Sequence, residues 1–548
     1  MKGKSIFKTV FISILVVVLC TWIFPSTSFK TALIEEGRVQ VGLFDLFSYP
    51  MVAVTYFAYT LLYVAVIGIF YGVMNKISAY QALIEKIKTS FVGREHIFLI
   101  TVMILISVLV SVTGLSFGMI FVFPFVCSII LAMGYNKLVA ASVTVGSTIS
   151  GIAGTTLGNN TVSYMNQLLG TDIMNEMVSK VVVLIAFMIV LIANVLLYAK
   201  KTKTSVIEAK KEETVKKEKI VSRVRTAKEV DKVSSQSVVS KKNNMKKAEN
   251  NASNVKKTVS KTNSTKKADT KTTKQVTTKV KNTKTRASMA KTEDVIKVKN
   301  TDEKKVIIWP LILIFDLVLI ILCISVFDWA GIFNVNWFAN AKEAVTEFEI
   351  FGFPIFSKLL GRVSEFGLWS LNVELLALIL IATVVLMLVY RVKWNDFIEG
   401  VVEGLQKSVT PACCMILAYV VLVIVTYHPF QLGFTKFLLD LTSGFNVVTM
   451  SIAAMLASIF NVESVYTAQS TLPYVMSVIT DSSLYPLIEV IFQSIYGLMM
   501  LVAPTSVILI GTLSYLDISY GQWLKHIWKI FVELLIILLI IFLIILAI

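Results

Sequence analysis

Residues 138–169 read LVAASVTVGSTISGIAGTTLGNNTVSYMNQLL, and this stretch decides the fold. About 17 residues of helix-forming sequence stop at the polar run GTTLGNNT, residues 154–161, and roughly nine follow it. A second apolar run, 486–516, is interrupted in the same way by APTS at 503–506. A helix interrupted inside a bilayer leaves backbone groups without partners, so such sequence is tolerated only where it lines a site. The two runs predict two broken transmembrane helices.

The composition places the chain in a membrane. Of its 548 residues, 56% are hydrophobic and 16% are charged, which is too apolar for a soluble core. The net charge of +17 is concentrated in residues 200–305, which hold about 32 Lys and Arg against about 12 Asp and Glu. This segment has no Pro, Gly or aromatic residue and cannot bury enough apolar surface to order itself. We expect a disordered cytoplasmic linker between transmembrane blocks 1–199 and 306–548.

Short basic flanks predict the orientation, because such flanks are retained on the cytoplasmic side. They place the N-terminus and the linker in the cytoplasm and the C-terminus outside a multi-pass protein of the cell membrane. The first 24 residues have the basic and apolar parts of a signal peptide, but we interpret them as a retained first span, with cleavage as the alternative. The predicted trace comprises spans near 7–25 and 52–74, an amphipathic stretch 75–95, a hairpin 97–133, the broken span 138–169, spans 176–199, 306–326, 371–390 and 412–427, an amphipathic stretch 428–443, a hairpin 445–480, the broken span 486–516 and a last span 521–547.

The order of parts in residues 412–548 repeats that of residues 52–199: span, amphipathic stretch, hairpin, broken span, span. The intervening crossings give the two copies opposite orientations, and both hairpins carry a proline in the second arm, Pro124 and Pro473. Inverted repeats of this kind are typical of secondary carriers, whose substrate lies where the repeats meet. The predicted fold is an all-α polytopic membrane protein with inverted repeats, two re-entrant hairpins and two broken helices. Each hairpin could instead be two short spans.

The residues after each break would begin a half-helix whose unpaired N–H groups suit an anion. Thr and Asn side chains add donors there, and the tip of the first hairpin adds hydroxyl groups. The alternative is that small residues, which recur every four positions from Gly146 to Gly158, only allow close helix packing. The substrate-binding candidates are Gly158, Asn159, Asn160, Thr161, Pro504, Thr505, Ser506, Thr113 and Ser116.

The tip of the second hairpin predicts a site for a coupling ion. Glu463 would be an acidic residue at membrane depth, where charged groups are costly and therefore functional by default. It could bind Na⁺ or a proton, or meet a substrate amine; alternatively it reaches the outer surface. The ion-coupling candidates are Asn461, Glu463, Ser464 and Thr467. Four other acidic residues in or near spans rank lower, as helix-end or interhelical groups: Asp316, Glu374, Glu489 and Glu533.

Motifs for other chemistry are missing from the sequence. It contains no GxxxxGK[ST] phosphate loop, HExxH pair or GxSxG elbow, and its five cysteines have no metal-ligand spacing. We therefore expect no catalytic residue, no metal site and no cofactor other than a coupling Na⁺ or H⁺.

A further set of motifs runs through both blocks. In the second block they are Phe492-Gln493, Gly497, Ala503-Pro504-Thr505-Ser506, Gly511, Leu513, Tyr520-Gly521 and Trp523-Leu524-Lys525, and in the first block Trp22-Ile23-Phe24-Pro25, Gly118-Met119, Gly134-Tyr135 and Gly158-Asn159-Asn160-Thr161. With these motifs the chain resembles the YfcC group of the C4-dicarboxylate anaerobic carrier (DcuC-like) family, in the wider ion-transporter superfamily. The resemblance covers both blocks but not the linker, and it implies transport of dicarboxylates or amino acids. The chain departs from the family near the expected site, at Ile120-Phe121, Asn159-Asn160 and Val507.

Together these features predict a secondary active transporter, an ion-coupled symporter or exchanger, that works by alternating access. Its partners would be a small anionic or zwitterionic solute and membrane lipid, with no nucleic acid; formation of a homodimer is left open. A membrane-embedded enzyme would need convergent reactive groups that the sequence lacks. The main alternative is a scaffold or channel-like protein that binds anionic lipid or a partner through its basic linker.

Overall fold

A computed structural model of the chain describes residues 4–30, 33–37, 40–202, 306–361, 363–369, 373–442, 444–461 and 463–548. The side chains of residues 4, 28–30, 33–37, 159–161 and 359–360 are not part of this description. The two hydrophobic blocks form one compact unit, Met1–Thr204 with Ile307–Ile548. Residues 200–202 of the predicted linker continue the preceding helix, and residues 203–305 lie outside the described residues, so the disorder and the cytoplasmic location of the linker stay predictions.

The described part of the chain is helical apart from one antiparallel β-hairpin, in which β1 (Ser26–Lys30) pairs with β2 (Leu33–Gly37). The sequence did not predict this hairpin. The helices of the first block are α1 (Lys4–Ile23), α2 (Asp45–Tyr56), α3 (Ala58–Met74), α4 (Ser78–Ser90), α5 (Glu95–Thr113), α6 (Phe123–Ala132), α7 (Lys137–Ala153, with a π-helical turn at Ser142–Gly146), α8 (Asn159–Leu169) and α9 (Met177–Thr202).

The second block contains twelve helices among the described residues. They are α10 (Trp309–Val326), α11 (Trp329–Phe333), α12 (Trp337–Glu347), α13 (Ile355–Leu360), α14 (Val373–Val389), α15 (Trp394–Tyr427), α16 (Gln431–Thr442), α17 (Val447–Phe460), α18 (Ser464–Val478), α19 (Tyr485–Met500), α20 (Val507–Leu516) and α21 (Tyr520–Ala547).

Seven of the described helices are long and apolar enough to cross a membrane, and an eighth crossing results if α2 and α3, bent by 66°, count as one span. Shorter apolar helices, among them α6, α7, α17 and α20, lie next to the predicted breaks and tips. The prediction of an all-helical polytopic membrane protein is confirmed. The inverted repeats and the re-entrant path of the hairpins stay predictions.

Three segments differ from the predicted trace. The span expected at 412–427 is the second half of the longer helix α15. The first half of α15 is amphipathic, and its residues Glu399 and Glu403 pair with Lys76 at 3.3 and 3.0 Å. The second span is divided at Phe57, whose backbone leaves the helical region. The first arm of the first hairpin, α5, has 19 residues and is long enough to cross alone.

The backbones of α3 and α15 touch at two pairs of glycines. A Cβ added to Gly404 would overlap the carbonyl oxygen of Gly68, and one added to Gly72 would overlap that of Gly400. Both helices carry their glycines four residues apart, which is the spacing that lets transmembrane helices approach most closely. The two blocks are therefore joined by backbone-to-backbone contact along these helices.

Replacing Gly404 by alanine should separate α3 from α15, because the added methyl group has no room. We expect a loss of about 1–3 kcal/mol in the free energy of unfolding, the usual cost of overpacking. Thermal unfolding of the purified protein measures it. Gly521→Ala is the matched control, since a Cβ there meets nothing within 4 Å; equal stability of the two variants would contradict the close contact.

Candidate functional site

The first helix break comprises residues 154–158, between α7 and α8. Its freed backbone groups bond to Ser111, in the last turns of α5. The carbonyl oxygen of Ser111 accepts from the N–H of Thr156 at 3.0 Å and of Gly158 at 3.2 Å, and its hydroxyl donates to the carbonyl of Gly154 at 2.6 Å. The first hairpin therefore satisfies the first break.

The second break comprises residues 501–506, between α19 and α20. The hydroxyl of Thr505 donates to the carbonyl of Ile459, in the last turn of α17, at 2.8 Å. From α21, the indole of Trp523 donates to the carbonyl of Leu501 at 2.8 Å and the hydroxyl of Tyr520 donates to the carbonyl of Val502. The second hairpin and the last helix thus hold the second break.

The tip of the first hairpin lies directly against the first break. Gly114 ends α5 with a φ of 71°, in the left-handed region that favours glycine. A Cβ added to Gly158 would lie 2.6 Å from the nitrogen of Gly114. Neither position can carry a side chain without movement of the other segment, so the structure places Gly158 at a close approach of two backbones. Its part in substrate binding stays a prediction.

A cavity of about 420 Å³ lies between the two hairpin tips and the second break. This volume is within the range of about 300–1,000 Å³ that small-molecule sites occupy. We call it the central cavity. Residues 114–118 of the first tip, residues 463–465 of the second tip and residues 506–508 after the second break line it, together with Tyr419, Tyr496, Ile152, Val326, Leu375 and Met500.

Glu463 is the acidic residue of this cavity. Its side chain is accessible from the cavity, and its Oε1 accepts from the hydroxyl of Tyr419 at 3.3 Å. Thr60 donates to the Tyr419 oxygen at 3.4 Å, and the ring of Phe57 stacks on Tyr419 with centroids 3.8 Å apart. None of the described lining residues is Lys, Arg or His. The cavity therefore presents a carboxylate without a basic neighbour in its lining.

The structure brings only part of the predicted site together. Ser116, Ser506, Glu463 and Ser464 line the central cavity. Thr505 is turned to Ile459, as described, and Pro504 precedes it in the break. The hydroxyl of Thr113 donates within its own helix, to the carbonyl of Leu109 at 2.7 Å.

The other predicted residues lie elsewhere or outside the description. Helix α8 begins at Asn159, so Asn159, Asn160 and Thr161 belong to its first turn and not to the break; their side chains are outside the described residues. Thr467 is fully buried, one turn along α18. Asn461 lines a different cavity, of about 320 Å³.

Sequence reasoning missed two features of the site region. Tyr419 and Tyr496 stand in apolar helices and gave no signal, because aromatic residues there are indistinguishable from ordinary core. The other is a buried ion pair between Lys180 of α9 and Glu489 of α19, 2.9 Å apart, with side chains 2% and 0% exposed. The sequence indicated Glu489 as a helix-end or interhelical group, but it did not identify Lys180 as its partner.

Two neutral side chains complete this ion pair. The hydroxyl of Thr171 donates to Glu489 Oε2 at 3.1 Å. The amide of Asn166, with its nitrogen toward Glu489, donates to the two carboxylate oxygens at 2.9 and 3.0 Å. The network thus connects α8, which follows the first break, with α19, which precedes the second.

Comparisons with known proteins give one match. The model of a family described as C4-dicarboxylate anaerobic carrier matches residues 4–241 and 270–548. No curated protein and no solved structure matches the chain.

Removal of one partner of the buried ion pair should lower the free energy of unfolding far more than removal of both. Lys180→Met leaves Glu489 charged and unpaired, and Glu489→Met does the same to Lys180; we expect a loss of about 3–5 kcal/mol for each single variant. The double variant leaves no unpaired charge and should regain most of this stability. Thermal unfolding of the three purified variants measures it; a double variant as unstable as the single ones would contradict the direct pairing.

Proposed function

Because the chain belongs to the C4-dicarboxylate anaerobic carrier family, we propose that it is a secondary active transporter, an ion-coupled symporter or exchanger of small carboxylate-bearing solutes. Membership of the family makes it a multi-pass membrane carrier, and C4-dicarboxylates are the solutes that the family's description names. The coupling ion and any transport of amino acids are part of the proposal. The central cavity carries it, since two hairpin tips and a helix break converge on one space of ligand size.

The proposed architecture is a pair of inverted repeats, residues 52–199 and 412–548. Two matching contacts support it. In the first copy, the hydroxyl of Thr156 in the break donates to the carbonyl of Ser111 in the first arm of the hairpin at 3.3 Å. In the second copy, Thr505 makes the same kind of contact with Ile459. Hairpins and broken helices that are tied in this way would move together against the remaining spans and give alternating access.

The charge of the cavity supports ion coupling. A dicarboxylate would add negative charge beside Glu463, and two like charges 4 Å apart repel by about 4 kcal/mol in surroundings of intermediate polarity. A cation that enters with the solute, Na⁺ or a proton on Glu463, would remove this cost. A solute that carries its own ammonium group, such as an amino acid, would do the same. The basic flanks support the proposed orientation, with the N-terminus and linker cytoplasmic and the C-terminus outside.

Uptake into liposomes tests the function. The purified protein is reconstituted, and uptake of radiolabelled succinate and of aspartate is measured with no gradient, with an inward Na⁺ gradient and with an inward proton gradient. Succinate and aspartate both carry two carboxylates, but only aspartate carries an amine. We expect a cation gradient to drive the accumulation of at least one of them. Absence of uptake under every gradient, with protein that is folded and inserted, would refute the proposal.

Glu463→Gln should separate the two explanations for the acidic cavity. If Glu463 holds the coupling cation, the variant loses the gradient dependence of succinate uptake, because its side chain no longer changes charge. If Glu463 binds the amine, aspartate uptake falls about ten-fold or more while succinate uptake remains, since a hydrogen bond between charged groups is lost. Glu343→Gln, on the exposed surface of α12, is the matched control. Unchanged transport of both solutes by Glu463→Gln would remove Glu463 from the mechanism.

A further inference from the structure

Two cavities lie beside the second hairpin tip. Glu463 lines the central cavity, whereas Asn461, two residues earlier in the chain, lines another cavity of about 320 Å³. We call the latter the second cavity. Among the described residues, none lines both cavities.

Polar side chains converge on the second cavity from two helices. Tyr466, Gln469 and Ser470 lie on one face of α18, at the spacing that helical neighbours share, and Gln431 faces them from α16. The neutral side chain of Gln469 is exposed, and none of the described residues that line the second cavity is charged. The second cavity thus offers amide and hydroxyl groups and no fixed charge.

The deep end of this cavity is already ordered. Asn461 and Gln431 are 1% and 3% exposed. The amide of Asn461 donates to Gln431 Oε1 at 3.3 Å and to the carbonyl of Ala457 at 3.0 Å. Polar groups buried at membrane depth are tolerated where they bond to one another or face a polar space. Here they do both, so the polar lining is built into the packing of α16, α17 and α18.

The β-hairpin covers one side of the second cavity. Thr27 of β1 lines it and is 3% exposed. The N–H of Thr27 donates to the carbonyl of Pro429, and its hydroxyl accepts from the N–H of Gly433 at 3.1 Å. Strand β1 therefore forms one wall of the second cavity through Thr27.

We propose that the second cavity is a second binding site for the transported solute, beside the central cavity, and that it holds a carboxylate through the amide of Gln469. The inference rests on the proposed function, because it takes the carboxylate-bearing solute from there. The lining of the second cavity is neutral, whereas that of the central cavity contains Glu463. A carboxylate in the second cavity meets no acidic residue of this lining, so its binding needs no cation to offset a fixed negative charge.

Binding stoichiometry tests this proposal. Equilibrium dialysis of radiolabelled succinate against the purified protein should give two molecules per chain. Gln469→Leu keeps the size of the side chain and removes its donor; we expect the affinity of one of the two sites to fall about ten-fold or more and the other to be unchanged. Gln81→Leu, an exposed glutamine of α4, is the matched control. In uptake, Gln469→Leu should raise KM and preserve the maximal rate, because the central cavity is intact.

Thiol labelling gives a second measurement, in which the reaction rate of a cysteine at position 469 reports whether succinate occupies the second cavity. Gln469→Cys in a Cys413→Ser background is treated with a membrane-impermeant thiol reagent, since Cys413 is the exposed native cysteine of the described residues. Succinate should slow the labelling, and should still do so when Glu463→Gln is added.

The outcomes separate the two hypotheses. The inference would be overturned, while the proposed function stands, by three results together: one succinate bound per chain, an unchanged affinity in Gln469→Leu, and labelling of Gln469→Cys that succinate does not slow. The second cavity would then be a water-filled passage only. No succinate or aspartate bound by the unmodified protein would overturn both.

Discussion

The whole arrangement depends on one constraint: backbone groups freed inside a bilayer must find partners in the protein, because no water is there to bond to them. The two helix breaks free such groups. At the first break Ser111 of α5 supplies the partner. At the second break Trp523 and Tyr520 of α21 donate to the freed carbonyls, and the hydroxyl of Thr505 bonds to the carbonyl of Ile459. Each hairpin is thereby fixed to one break. The tips are carried to the same place as the breaks, and the central cavity is the space that remains between them.

Much of this order could be predicted from the sequence, because it depends on local features. Polar runs inside apolar stretches marked both breaks, whereas the re-entrant path of the two hairpins stays a prediction. The prediction of a membrane carrier related to the C4-dicarboxylate family is confirmed. What could not be predicted depends on partners distant in the chain. The hydropathy pattern did not predict the early start of α15, because its acidic residues pair with Lys76, more than 300 positions away.

The same limit applies to the candidate site. Glu463 was identifiable as an acid at membrane depth, but Tyr419, which bonds to it, comes from the apolar second half of α15. Asn461 and Glu463 were predicted to act together because they are two residues apart. In the structure they line different cavities. Proximity in sequence was therefore a poor guide to proximity in space at the tip.

The glycine contact between α3 and α15 has a consequence for how the protein is made. Helix α3 ends at residue 74, and α15 begins only at residue 394. During synthesis at the ribosome, α3 enters the membrane long before α15 has been made. Its glycine face therefore stays exposed to lipid until α15 is inserted. Completion of the carrier is thus a late event in biogenesis, in which an early-inserted helix is paired with one that emerges more than 300 residues later. Any factor that shields such faces in the membrane would act on this chain during that interval.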